Sequence, residues 1–432
     1  MTITTFAGTL NRTYFDGRLS PAVLGHLTAA GDQRDEVRSF IERMCRNFHA
    51  GRIPAEDVSV FVARLCDQVL PGLLPGAWDG MVPPITVSGR HRLIDDYVSH
   101  NRWLTLPASP AFLDLGCGFP PTTAIETAER FPSWRVTGLD QAFWPYLVVG
   151  EGGHYACFDH DLTLRYFQPA NVGPQAWNDF FRDRAATRAR YGDALRALLV
   201  GQPEAGEGQH IEIQRDGFIL QVNPIRRFER ANLTFLAGDA RHAGLREIDV
   251  ARCFNVLIYF DAAFRAELLQ ALGRILNPGG LFICGYDWAE TRMARYSVYQ
   301  NDDGVLRPRE FAFSIDNVIP LGLAWYALHD DDEDMRRLVE SVSVLRGDSE
   351  FMSVFGPGYG ALLSDLRLCA RGADGYLEDI EPGIAQAELD RRYSELLRRC
   401  DERDYPGLAV AALRRAGLNA WKNEVGHIAV GV

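Results

Sequence analysis

Asp114, Gly116 and Gly118 stand close together in residues 111–118, which read AFLDLGCG. Phe112, Leu113 and Leu115 give an apolar strand that runs into a Gly-x-Gly turn, and the two glycines remove side chains that would keep a ligand off the backbone. Asp140 ends a second strand-like run, residues 134–140 (WRVTGLD), 24 residues after Gly116. A carboxylate at such a strand end is placed to accept hydrogen bonds from both hydroxyls of a ribose. A third run, residues 232–240 (NLTFLAGDA), ends in Gly238-Asp239-Ala240. A dinucleotide fingerprint would need a third glycine where this chain has Pro121, itself preceded by Pro120. Two prolines fix φ and remove donors at the helix mouth, where a pyrophosphate would seek N–H groups. The pattern favours a nucleoside ligand that carries no phosphate.

Such groups must be held by alternating strands and helices. Ala124, Ile125, Ala128 and Phe131 recur at helical spacing after the glycine turn. Residues 250–261 (VARCFNVLIYFD) read as a fourth strand and its exit, and residues 276–285 (LNPGGLFICG) as a turn and fifth strand. Between them Phe264, Leu268, Leu272 and Ile275 share one helix face, with Asp261 as the cap. The order predicts a parallel α/β sheet with its ligand at the carboxyl ends of the strands.

The DLGCG stretch, followed by an acid one strand later, resembles the first two motifs of class I S-adenosylmethionine-dependent methyltransferases. The β-loop-α-PGG-β order is typical of the same class. Within it, NVLIYFD is similar to the corresponding motif of the chemotaxis-receptor (CheR-type) methyltransferases, which esterify protein glutamates. Those proteins usually carry an arginine before the asparagine, where this chain has Phe254. The resemblance implies a Rossmann-like sheet of seven strands, the last one antiparallel, and S-adenosyl-L-methionine as cofactor. It places Asp114, Gly116, Cys117 and Gly118 around the methionine part, with Asp140 and Gln141 at the ribose. Asp239 and Ala240 would meet the adenine, with Asn255 and Val256 on its other side. Asp114 has a second reading, as a strand-end acid that caps the turn. Tyr259 is the catalytic residue the resemblance implies, beside the transferred methyl, and a core tyrosine is the alternative. His242 follows the third strand and reads either as a general base or as a loop histidine. The absence of an Asn/Asp-Pro-Pro-aromatic motif argues against methylation of exocyclic base amines.

Composition bounds the function classes. The 432 residues carry a formal net charge of −12 and 47% hydrophobic residues, which suits two or three globular units. No basic stripe marks a nucleic-acid binder. The eight cysteines show neither CxxC nor Cys/His ligand spacing, so neither a zinc site nor a disulfide framework is expected. The N-terminus lacks a signal-peptide pattern and no apolar run is long enough to span a bilayer, so a cytoplasmic protein without a membrane partner is expected. The oligomeric state is left open by the sequence.

Around the core, residues 1–85 read as a helical N-terminal domain. Ser20-Pro21 starts one helix, and two apolar stripes follow: Val37, Phe40, Ile41, Met44 and Phe48, then Val58, Phe61, Val62, Leu65 and Val69. Residues 71–84 read as a Pro-Gly linker. A lead-in helix over 88–103 offers His91, Arg92, Asp96, Tyr97 and Asn101 toward the methionine end of the ligand. The core spans 86–288 and 405–432. It is interrupted at 142–231 by an insertion with a helix near 177–199 and a hairpin turning at Asp216-Gly217. Residues 289–404 form a second, mostly helical, capping insertion. Its acidic run at 329–334 reads as a solvated loop or a hard-cation site. Aromatic residues of the insertions (Tyr155, Phe158, Tyr166, Phe167, Trp177, Trp325, Tyr326) suit an organic acceptor. The function expected is O-methylation of a small molecule. Carboxyl methylation of a protein or peptide, or a non-catalytic cofactor sensor, are the alternatives.

Overall fold

The computed structural model describes residues 34–54, 57, 70–170, 177–200, 209–288, 293–319, 322–323, 332–373, 377–381 and 384–432. The Ser20-Pro21 helix start, the stripe from Val58 to Val69, the pair Trp325 and Tyr326, and the first part of the acidic run lie outside these residues. The other stripe forms α1 (Arg34–Ala50), whose Val37, Phe40, Ile41, Met44 and Phe48 are all buried. A short lead-in helix, α2 (Arg92–His100), precedes the sheet.

β1 (Ala111–Leu115) is buried along its whole length, as a central parallel strand must be. Its side chains alternate between two apolar layers, Phe112 entering one and Leu113 the other. After α3 (Thr122–Arg130) the chain returns as β2 (Arg135–Asp140), parallel to β1. It then leaves the main sheet for a separate antiparallel one made of β3 (Tyr146–Val149), β4 (Tyr155–Phe158), β5 (Leu164–Gln168), β6 (Ile211–Arg215) and β7 (Phe218–Val222), in the order β5-β4-β3-β7-β6. The expected hairpin is β6–β7, and Asp216 and Gly217 both take positive φ at its turn, at 49° and 80°. α4 (Arg184–Leu199) packs on this sheet.

The main sheet resumes with β8 (Leu233–Ala237), β9 (Ile248–Phe254) and, after α5 (Ala262–Ile275), β10 (Leu276–Tyr286). Asp261 caps α5 as its sequence position predicts, accepting from the Phe264 N–H at 2.9 Å. The parallel order β8-β2-β1-β9-β10 is that of a doubly wound sheet with its switch point beside β1. Two further strands, β11 (Arg295–Asp302) and β12 (Val305–Phe313), form a hairpin that pairs antiparallel with β10. The helices α6 (Glu333–Gly347), α7 (Ser349–Asp365) and α8 (Gln386–Glu402) follow, with the small pair β13 (Cys369–Arg371) and β14 (Leu377–Asp379) between the last two. α9 (Tyr405–Arg415) leads to β15 (Ala420–Lys422) and β16 (Ile428–Gly431).

Among the described residues the main sheet has nine strands where seven were expected. The C-terminal pair is antiparallel as expected, but β16 joins β12 instead of β10. The hairpin from the second insertion takes the place beside β10: Arg295–Asp302 and Val305–Phe313 pair around an Asp303-Gly304 turn, both residues at positive φ, and the first of the two strands runs along β10. Part of the expected cap is therefore core sheet. Nor is α1 set apart: it packs against α6 from that same insertion.

Candidate functional site

A cleft of about 240 Å³ opens at the carboxyl ends of β1, β2, β8 and β9. Its floor is the glycine turn. Gly116 and Gly118 take φ of +68° and +71°, a region that L side chains avoid. A Cβ on Gly116 would lie 2.2 Å from Val256 Cγ2, and one on Gly118 would lie 2.8 Å from the Pro84 carbonyl oxygen. Both positions therefore require glycine for conformation and for space.

The acid at the end of β2 is fixed by backbone donors. Asp140 accepts from the Gly118 N–H at 2.8 Å and from the Ala142 N–H at 2.7 Å. Burial pushes its carboxyl up from the ordinary value, and these N–H groups pull the other way. Asp239 is held differently. Burial would raise its carboxyl, but Arg241 grips both oxygens and holds it below the usual range. Arg241 also lies over the Phe264 ring, 4.1 Å from its centre, and Phe264 stacks on Phe260 at 3.9 Å. Ala240, Leu257, Phe260 and Phe264 make this end of the cleft a flat apolar slot.

Asp114 lies behind the cleft wall instead of in it. It accepts from the buried Arg252 guanidinium at 3.0 and 2.8 Å and from the Thr123 hydroxyl at 3.0 Å. Arg252 also bonds Asp95 of α2, whose second oxygen accepts from Thr127 at 2.9 Å. One guanidinium thus ties the lead-in helix to β1 and β9. Arg252 and Phe254 project to the same face of β9, since strand side chains alternate.

The wall facing the glycine turn comes from the segment expected to be a linker. Residues 80–86 line the cleft, and the Phe119 N–H donates to the Pro84 carbonyl at 3.0 Å. Trp78 anchors this segment. It is buried, donates to the Gly72 carbonyl at 2.9 Å and stacks on Phe180 at 5.3 Å. Thr86 Oγ1 and Arg90 Nε are buried without a hydrogen-bond partner among the described residues, and both residues line the cleft. Next to them His91 Nδ1 meets Asp287 Oδ2 at 3.0 Å. Asp287 Oδ1 accepts from Asn255 Nδ2 at 3.1 Å.

Gly116, Cys117, Gly118, Asp140, Gln141, Asp239, Ala240, Asn255 and Val256 all line this one cleft. Tyr259 does not. It packs against the apolar core, where burial pushes its phenol up and Arg90 opposes the shift. His242 is exposed on the loop after β8, outside the cleft. Of the lead-in helix, His91 reaches the cleft wall, whereas Tyr97 is buried in the core and Arg92, Asp96 and Asn101 are not in the wall. The insertion aromatics Phe158, Tyr166, Phe167 and Trp177 are core residues of the small sheet and do not wall the cleft. Nothing described between 293 and 432 lines it either. Sequence reasoning missed Thr86, Arg90, Arg252 and Asp95. The composition of residues 80–86 signals only a break, and Arg252 reads as a strand residue until its partners are known. No cluster among the described residues has the make-up of a metal site.

No protein-family profile matches the chain. Over 92 residues, 21% of its length, it is 29% identical to a chemotaxis protein methyltransferase 2 of Vibrio cholerae, of which this covers 32%. Over 84 residues it is 33% identical to a chemotaxis protein methyltransferase 2 of Pseudomonas aeruginosa, covering 26% of that protein. The chain thus spans no more than about a third of the length of these relatives. Among solved structures, PKMT2 from Rickettsia typhi in complex with AdoHcy aligns over 47% of this chain and 27% of its own, at 14% identity and a TM-score of 0.24. No described helix is long and apolar enough to cross a membrane.

Proposed function

We propose that the chain is a methyltransferase that takes S-adenosyl-L-methionine in this cleft and methylates an oxygen of a small organic molecule. The carrying observation is the cleft at the switch point, with an acid at the end of β2 and two orphaned polar atoms, Thr86 Oγ1 and Arg90 Nε, in the opposite wall. The residues present fit that cofactor. Asp140 takes the ribose hydroxyls with the lone pairs its backbone donors leave free. The slot at Ala240, Leu257, Phe260 and Phe264 takes the adenine. The glycine turn clears room for the amino-acid end, and Arg90 with Thr86 supplies donors for its carboxylate. When bound, the sulfonium supplies an activated methyl. The protein then has to align the acceptor, exclude water and manage the acceptor's proton.

A second reading is carboxyl methylation of a protein or peptide. It is favoured by the 92-residue likeness to a chemotaxis methyltransferase. Calorimetry with the demethylated thioether product tests the cofactor site, and Asp140→Ala should abolish the heat. Transfer of labelled methyl to small hydroxyl compounds, compared with transfer to receptor-like peptides, separates the two readings. No heat on folded protein overturns both. Binding without transfer to any acceptor would leave a cofactor sensor.

A further inference from the structure

We infer that His91, oriented by Asp287, is the general base of this site, and that the acceptor is therefore a neutral hydroxyl instead of a carboxylate. The inference rests on the proposed function and deepens it. His91 comes from the turn into α2, and Asp287 from the end of β10, 196 residues later. His91 is the one histidine that lines the cleft among the described residues. It is 6% exposed, and its ring packs on Phe254 at 5.1 Å.

The hydrogen bonding fixes the ring's chemistry. An ionised carboxylate only accepts, so the Nδ1–H donates to Asp287 and the lone pair is left on Nε2. Nε2 bonds to no described residue. Asp287 is fully buried, with one oxygen on His91 and the other accepting from Asn255, so it orients the ring and is not itself the base. Asn255 is held in turn at φ +62°, its N–H donating to the Gly285 carbonyl at 2.9 Å. The other carboxylates at the cleft are committed. Asp140 holds backbone N–H groups and Asp239 is gripped by Arg241. The charged groups facing His91 are Asp287 at the end of β10 and Asp95 on α2, and the Arg252 guanidinium on β9 acts on both of these acids.

The step balances without an oxidant. The acceptor hydroxyl gives its proton to Nε2, and its oxygen forms the bond to the methyl carbon of a sulfonium donor. The carbon–sulfur bond breaks with its electron pair on sulfur, and the histidine later sheds the proton to water. A carboxylate acceptor is already deprotonated at neutral pH and needs no such group. A base held by a buried acid is useful only if the acceptor arrives protonated.

Two measurements decide it. Long-range proton–nitrogen NMR of the free protein, with the His91 signal assigned by its loss in His91→Gln, should show Nδ1 protonated and Nε2 bare. Asp287→Asn should disturb that state. The opposite tautomer in the parent overturns the inference. Methyl transfer is then followed with a panel of phenols and alcohols of graded acidity and with carboxylic acids of matched skeleton. His91→Gln, checked for unchanged thioether affinity by calorimetry, should lose roughly 10²- to 10⁴-fold on the least acidic hydroxyls and less on the most acidic. Equal activity of the variant, methylation of the acids alone, or no methylation across the panel while the thioether binds, each overturns it. Failure of the parent to bind the thioether falls instead on the proposed function.

Discussion

Replacing Arg252 with methionine removes a fully buried guanidinium and leaves two buried carboxylates without a cation. Among the described residues, Asp114 loses bonds at 3.0 and 2.8 Å and keeps only the Thr123 hydroxyl on its side chain, while the Asp95 side chain keeps only Thr127. Deleting one partner of a buried ion pair costs about 3–5 kcal/mol, because the remaining charge stays desolvated. One cation here serves two acids, so the expected loss lies near the top of that range. This is comparable to the whole stability of many domains, about 5–15 kcal/mol. Protonation offers partial relief. Burial already pushes Asp95 up, with Arg252 pulling it down, so losing Arg252 drives it higher. A carboxyl whose folded value exceeds its unfolded one stabilises the fold at low pH, and that support is lost as pH rises through the folded value. The deficit of Arg252→Met against the parent should therefore be greatest near about pH 8 and shrink toward about pH 5. Urea unfolding followed by tryptophan fluorescence at both pH values measures it, and adding Asp95→Asn should recover part of the loss. A deficit below about 1 kcal/mol, no more than an average substitution, or one equal at both pH values, would refute the charge-compensation argument.

Further outcomes follow from the same geometry. Gly118→Ala forces a side chain to φ +71° against the Pro84 carbonyl, so it should cost at least about 1–2 kcal/mol and weaken thioether binding in calorimetry. Asp261→Ala removes the cap of α5 and should cost about 0.5–2 kcal/mol in urea unfolding while the thioether still binds. Burial, with Asp332 beside it, pushes Asp334 up to about 6, so the parent should lose stability as pH rises through that value. Asp334→Asn should lack that slope in the same unfolding series. The seven described cysteines are buried, and burial pushes Cys45 and Cys400 up to about 12. A thiol-reactive disulfide reagent should reach these seven only on unfolding, and prompt release from more than one thiol of the native protein would contradict their burial.

The parts of the site that were readable in the sequence are those that one stretch of chain encodes. Gly116, Gly118 and Asp140 lie at or just beyond a strand end, where strand pattern and turn chemistry point to them, and Ala240 and Asn255 follow from the resemblance; all five line the cleft. The parts that escaped join distant stretches. Arg252 meets Asp95 across 157 residues, and His91 meets Asp287 across 196. No local periodicity encodes such pairs. His91 was legible as a residue near the ligand, but its contact with Asp287 was not. His242 and Tyr259 illustrate the converse, since chain proximity to a motif did not bring either into the cleft wall. Among the elements, α7 was not singled out within the mostly helical insertion, and its Gly356, Pro357, Gly358 and Gly360 are poor helix formers. Yet Phe351, Phe355, Tyr359 and Leu362 at helical spacing bury one face of it. The strands β4 and β5 were missed because their aromatic residues read as suited to an organic acceptor, whereas Phe158, Tyr166 and Phe167 are buried inside the small sheet.

Trp78 gives the cleft a remote handle. The strip that closes one side of the cleft is moored through this indole to Tyr166, in the aromatic interior of the small sheet, and to Phe180, in the short helix Asn178–Arg182. Trimming a ring there would slacken the mooring without altering any group that faces a ligand. The expected signature is faster ligand exchange with the chemistry of the pocket intact, so residence time could be tuned in evolution or in the laboratory from a layer that never meets the ligand.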